Sequence, residues 1–152
     1  MKVLKIMFIL FLITGHSCKK SDTYLEELDK AIFSIKTTEC YGTCPVYEFY
    51  LFEGGNAIFL GNKNVETTGR NFGQLSEDKM IWIKSQLSEI GYFDMSPNKT
   101  ESLSDVWSIH LSASRDGSIK KMIYNSGSNS PMDEFLKKTQ DLIFNLDWEK
   151  IK

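Results

Sequence analysis

The chain has 152 residues, which is room for one domain and little more. Hydrophobic residues make up 41% of the chain and aromatic residues 12%, and so there is enough apolar material for one core. The 18 basic and 20 acidic residues give a net charge of −2, and this mildly acidic chain without a basic patch is a poor candidate for binding nucleic acid.

The first 17 residues have the pattern of an export signal and not of a folded element. Lys2 and Lys5 accompany an apolar stretch that is too short to span a membrane. The stretch ends in the sequence GHSC at residues 15–18, which resembles a lipobox, where a signal peptidase cuts and the cysteine receives a lipid. Gly15 departs from the leucine usual at that position. We predict a lipoprotein signal peptide over residues 1–17, and the alternative is an ordinary secretory signal with an incidental Cys18.

Lipid attachment at Cys18 would place the chain in the cell envelope, anchored to a membrane but not embedded in it. It would also leave Cys40 and Cys44 as an even pair, as expected in an oxidising compartment. Lys19, and not aspartate, follows the cysteine, so retention at the inner membrane is not signalled. We expect an outer-membrane lipoprotein of a Gram-negative bacterium, with a polar tether over residues 18–30 and a single domain over residues 31–152.

Four strands are expected in the first half of that domain, because β-branched and aromatic runs alternate there with turn signals. A Gly-Gly turn joins the second strand to the third. The last of the four is irregular, since Gly69 and Gly73 interrupt it. The predicted strands cover residues 31–38, 46–53, 57–61 and 65–75.

The second half predicts a helix, a hairpin and a second helix. Ser76 is a candidate cap for the first helix, and Gly91 is placed to end it. Residues 106–114 alternate between apolar and polar side chains, and Asp-Gly at 116–117 predicts a tight hairpin turn to a strand over 119–125. Ser130 followed by proline starts the last helix. The order ββββ-α-ββ-α predicts an α+β fold, an antiparallel sheet with both helices on one face.

Cys40 and Cys44 flank a three-residue turn between the first two predicted strands. Gly42, midway between them, is expected to have a positive φ, and Pro45 favours extended backbone after the turn. A structural disulfide that fixes the register of the hairpin is the first interpretation. A copper site is the second, because copper-delivery proteins of the Sco type use the same cysteine spacing with a distant histidine, here His110. A redox-active thiol pair is the third.

Residues 40–47, CYGTCPVY, are similar to the signature Cys-(Phe/Tyr)-Gly-x-Cys-Pro-x-Tyr of an uncharacterised domain family of bacterial envelope lipoproteins. The resemblance covers residues 32–146, and beyond the signature it rests on the order of elements. It implies architecture and location. It implies no activity and no functional residues, because the family is a domain of unknown function.

No set of residues with the spacing of a catalytic site is visible, and His110 is expected to be an exposed surface histidine. The strand over residues 46–53 is apolar on both faces, so it is either covered on both sides or exposes an aromatic surface. We take Tyr47, Tyr50 and Phe52 as a candidate binding surface, which a loop or the tether could alternatively cover.

These observations favour a non-catalytic, lipid-anchored envelope domain that binds or scaffolds, without a cofactor. Its partners would be the membrane, through Cys18, and another envelope protein. One alternative is a copper- or thiol-handling protein that uses Cys40, Cys44 and His110. A second alternative, suggested by architecture alone, is a small inhibitor of an envelope enzyme.

Overall fold

A computed structural model describes residues 27–96, 107–125 and 130–151 of the chain. These residues form one antiparallel sheet of seven strands and two α-helices, which confirms the predicted α+β class. The strands are β1 (Phe33–Thr37), β2 (Val46–Leu51), β3 (Asn56–Lys63), β4 (Gly69–Gln74), β5 (Ser108–Arg115), β6 (Ser118–Asn125) and β7 (Glu149–Lys150). The helices are α1 (Glu77–Glu89) and α2 (Pro131–Phe144).

The strands lie in the order β6-β5-β1-β2-β3-β4-β7, and every neighbouring pair is antiparallel. The six predicted strands are all present, and β7 is an addition that the sequence did not predict. It has only two residues, both charged, which pair with Asn71 and Phe72 of β4. So short a polar strand carries no periodic signal, and it forms because the chain after α2 returns to the edge of the sheet.

Both helices pack on the same face of the sheet, as predicted. Phe135 of α2 lies at the junction, with its ring centroid 6.3 Å from that of Phe33 on β1 and 5.9 Å from that of Trp82 on α1. Alternate residues of the central strands point into this layer. The sheet's contribution to the buried core is Phe33, Ile35, Tyr47, Phe49, Leu51, Ala57, Phe59, Ile109, Leu111, Ala113 and Met122.

Local signals in the sequence account for the ends of several elements. Ser130 and Asp133 form a capping box at the start of α2, in which each side chain accepts a hydrogen bond from the other's backbone N–H. Asp116 and Gly117 both have positive φ, at 53° and 77°, as a two-residue hairpin turn requires. Ser76 precedes α1 as expected, but its side chain makes no capping hydrogen bond.

The hairpin between β1 and β2 differs from the prediction. The two strands are joined by eight residues, 38–45, and not by a three-residue turn, so Cys40 and Cys44 lie in the loop beyond the ends of the strands. Their disulfide is present, with the Cα atoms 5.8 Å apart. The φ of Gly42 is not in the positive region, so that expectation was wrong. The disulfide therefore closes a loop and does not set the register of the hairpin.

Thr37 closes the neck of this hairpin instead. Its side chain is buried, and its Oγ1 donates to the carbonyl oxygen of Pro45 at 2.8 Å and accepts from the N–H of Tyr47 at 3.0 Å. The hydroxyl thus satisfies two backbone groups just where the ladder between β1 and β2 ends, which is necessary because buried backbone groups without partners are costly.

Replacing Thr37 by Val keeps the shape of the side chain but leaves the N–H of Tyr47 without its hydroxyl partner. We expect the free energy of unfolding to fall by about 1–2 kcal/mol, the cost of an unsatisfied buried group. Urea unfolding followed by circular dichroism measures it. Thr37→Ser is the control, because it keeps the hydroxyl, and equal losses for both variants would contradict the role of the hydrogen bonds.

Candidate functional site

The sheet has a second face on which neither α1 nor α2 packs. Side chains on this face alternate along each strand with the core residues, and the cross-strand register places them next to one another. We call this surface the open face. Its residues are Ser34, Lys36, Glu48, Tyr50, Ile58, Leu60, Phe72, His110, Ser112, Ile119, Lys121 and Ile123.

The open face has a polar half and an apolar half. Over β5 and β1, the cross-strand pair of Ser112 and Ser34 lies beside that of His110 and Lys36. Over β2, β3 and β4, one cross-strand row continues through Tyr50, Ile58 and Phe72. Ile58 is only 5% exposed although it is not part of the helix-covered core. The face therefore combines an apolar patch with hydroxyl and charged groups.

A depression of about 490 Å³ lies over the polar half of the open face. Its floor is low because Ser34 and Ser112, at the middle of β1 and β5, are small. Tyr50 borders it on one side, and the side chains of β6 border it on the other. Leu28, Asp29 and Ala31, in the segment that leads into β1, also line it, so the chain enters the domain at the edge of this depression.

Tyr50, Glu48 and Lys36 form a hydrogen-bonded group across β2 and β1. The hydroxyl of Tyr50 donates to Glu48 Oε2 at 2.5 Å, and the ammonium group of Lys36 lies 2.9 Å from Glu48 Oε1. Partial burial opposes ionisation of Glu48, but the two hydrogen bonds and the charge of Lys36 outweigh it and lower the pKa of this carboxyl. The group holds the Tyr50 ring in place beside the depression.

The lowered pKa of Glu48 makes a prediction for acid solutions. A carboxyl with a lower pKa in the folded state stabilises the fold above its unfolded pKa, and this contribution is lost as the pH falls through the folded pKa. Glu48→Gln should therefore lower the free energy of unfolding by at most about 1 kcal/mol at neutral pH, since Lys36 is largely exposed. The difference from the native protein should shrink below the ordinary glutamate pKa of 4.5 and then vanish. Urea unfolding measured over acid to neutral pH tests this, and a difference that persists in acid would contradict it.

The three aromatic residues of the predicted binding surface do not lie together. Tyr47 is only 2% exposed and faces the helices, where its ring centroid is 5.5 Å from that of Phe59 and 5.3 Å from that of Phe144. This burial raises the pKa of its hydroxyl. Tyr47 is thus core and not surface. Tyr50 lies half-buried on the open face, and Phe52 is half-buried just after β2 ends.

The cysteines and His110 are not brought together as a metal site would need. Cys40 and Cys44 are joined to each other, so neither sulfur is a thiolate ligand. His110 is exposed in the middle of β5, paired in register with Lys36. Within residues 27–96, 107–125 and 130–151, no three histidine, cysteine or acidic side chains are arranged to hold a metal ion. Cys18 lies outside the described residues.

Of the residues of the open face, only Tyr50 and His110 were predicted as candidate site residues, and the others, among them Ser34, Lys36, Ile119 and Ile123, were missed. The signal that could have found those on β1 and β6 is the alternation of the strands, since each lies between side chains of the other face. None of the helices in the described part of the chain is both long and apolar enough to cross a membrane.

Comparison with protein-family models identifies a family for this domain. A family model described as a domain of unknown function, DUF6438, matches residues 31–147 of the chain, which include β1 to β6 and both helices and end before β7. That description carries no catalytic activity, ligand or partner. No curated protein matches the sequence.

Proposed function

The chain belongs to the DUF6438 family of domains of unknown function, and we propose that it is a lipid-anchored envelope domain that binds a second envelope protein. In this proposal the open face is the binding surface, and the domain itself has no catalytic role. The observation that carries the proposal is the composition of the open face, where apolar, hydroxyl and charged side chains share one sheet surface that neither helix covers.

The composition of the open face is typical of a protein interface. Ile119, Ile123 and Phe72 are 51%, 42% and 38% exposed, so three large apolar side chains are accessible on one surface. Tyr50, held by Glu48, is a rigid aromatic side chain beside the depression, and tyrosines of this kind are frequent hot spots. Ile119 and Ile123 lie on β6 and Phe72 lies on β4, so exposed apolar side chains stand on both sides of the polar groups of β5 and β1. Such a mixture of accessible apolar and polar groups suits a protein interface better than an ordinary solvated face.

Ile123→Glu tests the binding surface, because it places a charge on β6 at the border of the depression. The amount of partner protein recovered should fall at least about tenfold, as expected when a buried interface side chain becomes charged. Ile81→Glu is the matched control, since Ile81 is also an exposed isoleucine, 56% accessible, but lies on α1. Proteins cross-linked to each lipoprotein in intact cells and identified by mass spectrometry give the readout. Equal recovery from both variants, with unchanged melting temperatures, would contradict the proposal.

The lipid anchor is supported by the apolar leader and by the cysteine that follows it. Its test is the mass of the protein purified from the membranes of a Gram-negative host. We expect a chain that begins at Cys18 and carries a lipid. The Cys18→Ala protein should be absent from the membrane fraction. The paired substitution of Cys40 and Cys44 by Ala should leave the location unchanged. A mature chain without lipid, or one that begins elsewhere, would contradict the anchor.

A further inference from the structure

The strand β6 is one edge of the sheet, and in the described part of the chain β5 is the only strand that pairs with it. The two strands pair over all 8 residues of β6 without a bulge, and β6 contains neither proline nor glycine. Edge strands that stay unpaired are usually short, bulged, charged or interrupted by proline. The opposite edge follows this rule, because β7 has only two residues and both are charged. The edge at β6 is long and regular instead.

The strand register shows which backbone groups of β6 point away from the sheet. The N–H of Ser114 on β5 donates to the carbonyl oxygen of Ile32, just before β1, at 2.8 Å. Because successive residues of a strand bond to opposite neighbours, the odd-numbered residues of β5 bond to the even-numbered residues of β6. The N–H and C=O groups of Ile119, Lys121 and Ile123 therefore point outward. Within residues 27–96, 107–125 and 130–151, these groups have no hydrogen-bond partner.

The two lysines of β6 leave this edge accessible. The ammonium group of Lys120 donates to the carbonyl oxygen of Phe93 at 2.9 Å, so it is held against the backbone of its own domain. Lys121 lies on the open face between Ile119 and Ile123, which are 51% and 42% exposed. The open-face side of the edge thus carries one charge between two large apolar side chains.

We propose that β6 pairs with β6 of a second copy of this chain, antiparallel about a twofold axis at Met122. In this register Lys121 lies opposite Ile123 of the second copy, and Ile119 lies opposite Asn125. Each of these pairs joins two residues whose N–H and C=O groups point outward, as the hydrogen-bonded pairs of an antiparallel ladder require. An axis at Lys121 would instead place two ammonium groups opposite each other, which is destabilising.

A second copy fits this edge because the row of outward groups is its own complement, the condition for an interface with twofold symmetry. Residues opposite each other in a ladder point to the same face, so the two open faces would form one continuous surface. Ile119 and Ile123 of both copies would lie at its middle. The inference depends on the backbone of β6 and not on the partner proposed for the open face.

Two substitutions of Lys121 separate backbone pairing from the effect of its side chain. Proline removes the outward N–H and alanine keeps it, and neither change removes a hydrogen bond to β5. Two differently tagged copies of the full chain are co-expressed, and one is captured from a detergent extract. Lys121→Pro should reduce recovery of the other copy at least about tenfold, and Lys121→Ala should leave it nearly unchanged. No second copy with the native chain, even if another envelope protein is recovered, or equal recovery with both variants, would overturn the pairing.

Cysteine cross-linking tests the register and does not depend on the folding of the proline variant. In a chain that carries both Lys121→Cys and Ile123→Cys, each new cysteine lies opposite one of the second copy, with the Cα atoms about 5.5 Å apart, which a disulfide can span. Mild oxidation of the purified protein should give disulfide-linked dimers on a non-reducing gel, and either single variant should give far fewer. The control pair Lys79→Cys and Ile81→Cys, exposed on α1, should give none. Equal yields from the two pairs, or no dimers from the β6 pair, would contradict the proposal.

Discussion

Phe135→Ala should lower the free energy of unfolding by about 3–5 kcal/mol, the largest effect expected of any single substitution discussed. Phe135 is 1% exposed and contacts both Phe33 of β1 and Trp82 of α1. Its removal leaves a cavity at a point where the sheet and both helices meet. A domain of this size has a total stability of about 5–15 kcal/mol, so a large share would be lost.

The control for this substitution is Ile81→Ala, an apolar truncation on α1 at a side chain that is 56% exposed. This variant's free energy of unfolding should be within about 0.5 kcal/mol of the native value, because surface truncations away from packed features change stability little. Denaturant unfolding of the two variants and the native protein measures both. A loss of less than 1 kcal/mol for Phe135→Ala would contradict the packing of the two helices on one face.

Gly73→Ala should lower the free energy of unfolding by about 2–3 kcal/mol, because the neighbouring side chains leave no space for a Cβ atom at this position in β4. It would lie 2.7 Å from Cζ3 of Trp148 and 2.9 Å from Cδ2 of Leu146. The indole cannot move aside easily. It donates to the carbonyl oxygen of Ile143 at 2.9 Å, and its ring is stacked on Phe59 with the centroids 5.2 Å apart. The glycine thus allows the chain after α2 to close over the sheet.

A double-mutant cycle with Trp148→Leu separates this clash from a general loss of strand stability. Gly73→Ala should cost clearly less in the Trp148→Leu background, because most of the overlap is then removed. Gly42→Ala is the control for glycine replacement, since its φ is not positive and its Cβ would be 3.8 Å from the sulfur of Cys40, an ordinary contact. Identical costs of Gly73→Ala in the two backgrounds would contradict the role of Trp148.

The elements that the sequence predicted well are those with local signals. The alternation of β5, the Asp-Gly turn after it and the start of α2 at Ser130 and Pro131 each depend on residues within a few positions of one another. The α+β order followed from these signals and from the cap and end signals of the first helix. Each of these features is present in the structure, with boundaries shifted by a few residues.

The elements that the sequence did not predict depend on contacts between distant residues. β7 consists of Glu149 and Lys150 paired with the edge of β4, directly after Trp148, whose ring stacks on Phe59 of β3. The strand boundary at Thr37 is decided by its hydrogen bonds to residues of β2 and the loop, which no periodic pattern reports.

The assignment of Tyr47 to a binding surface failed for a related reason. β2 is apolar on both faces, so alternation separates Tyr47 from Tyr50 but does not say which of the two faces the helices cover. The helices cover the face of Tyr47, where Phe144 of α2 packs against its ring. Tyr50 therefore lies on the open face, and the candidate surface is built around it.

Site-specific photo-cross-linking in intact cells tests most directly the proposed contact between the open face and another envelope protein. A photoreactive amino acid at His110, which is exposed on the open face, should give a discrete adduct with one protein. The same group at Lys79, exposed on α1, should give none. An adduct at His110 that Ile123→Glu abolishes is the predicted result. The same adducts from both positions, or none from His110 with the protein correctly located, would contradict the claim.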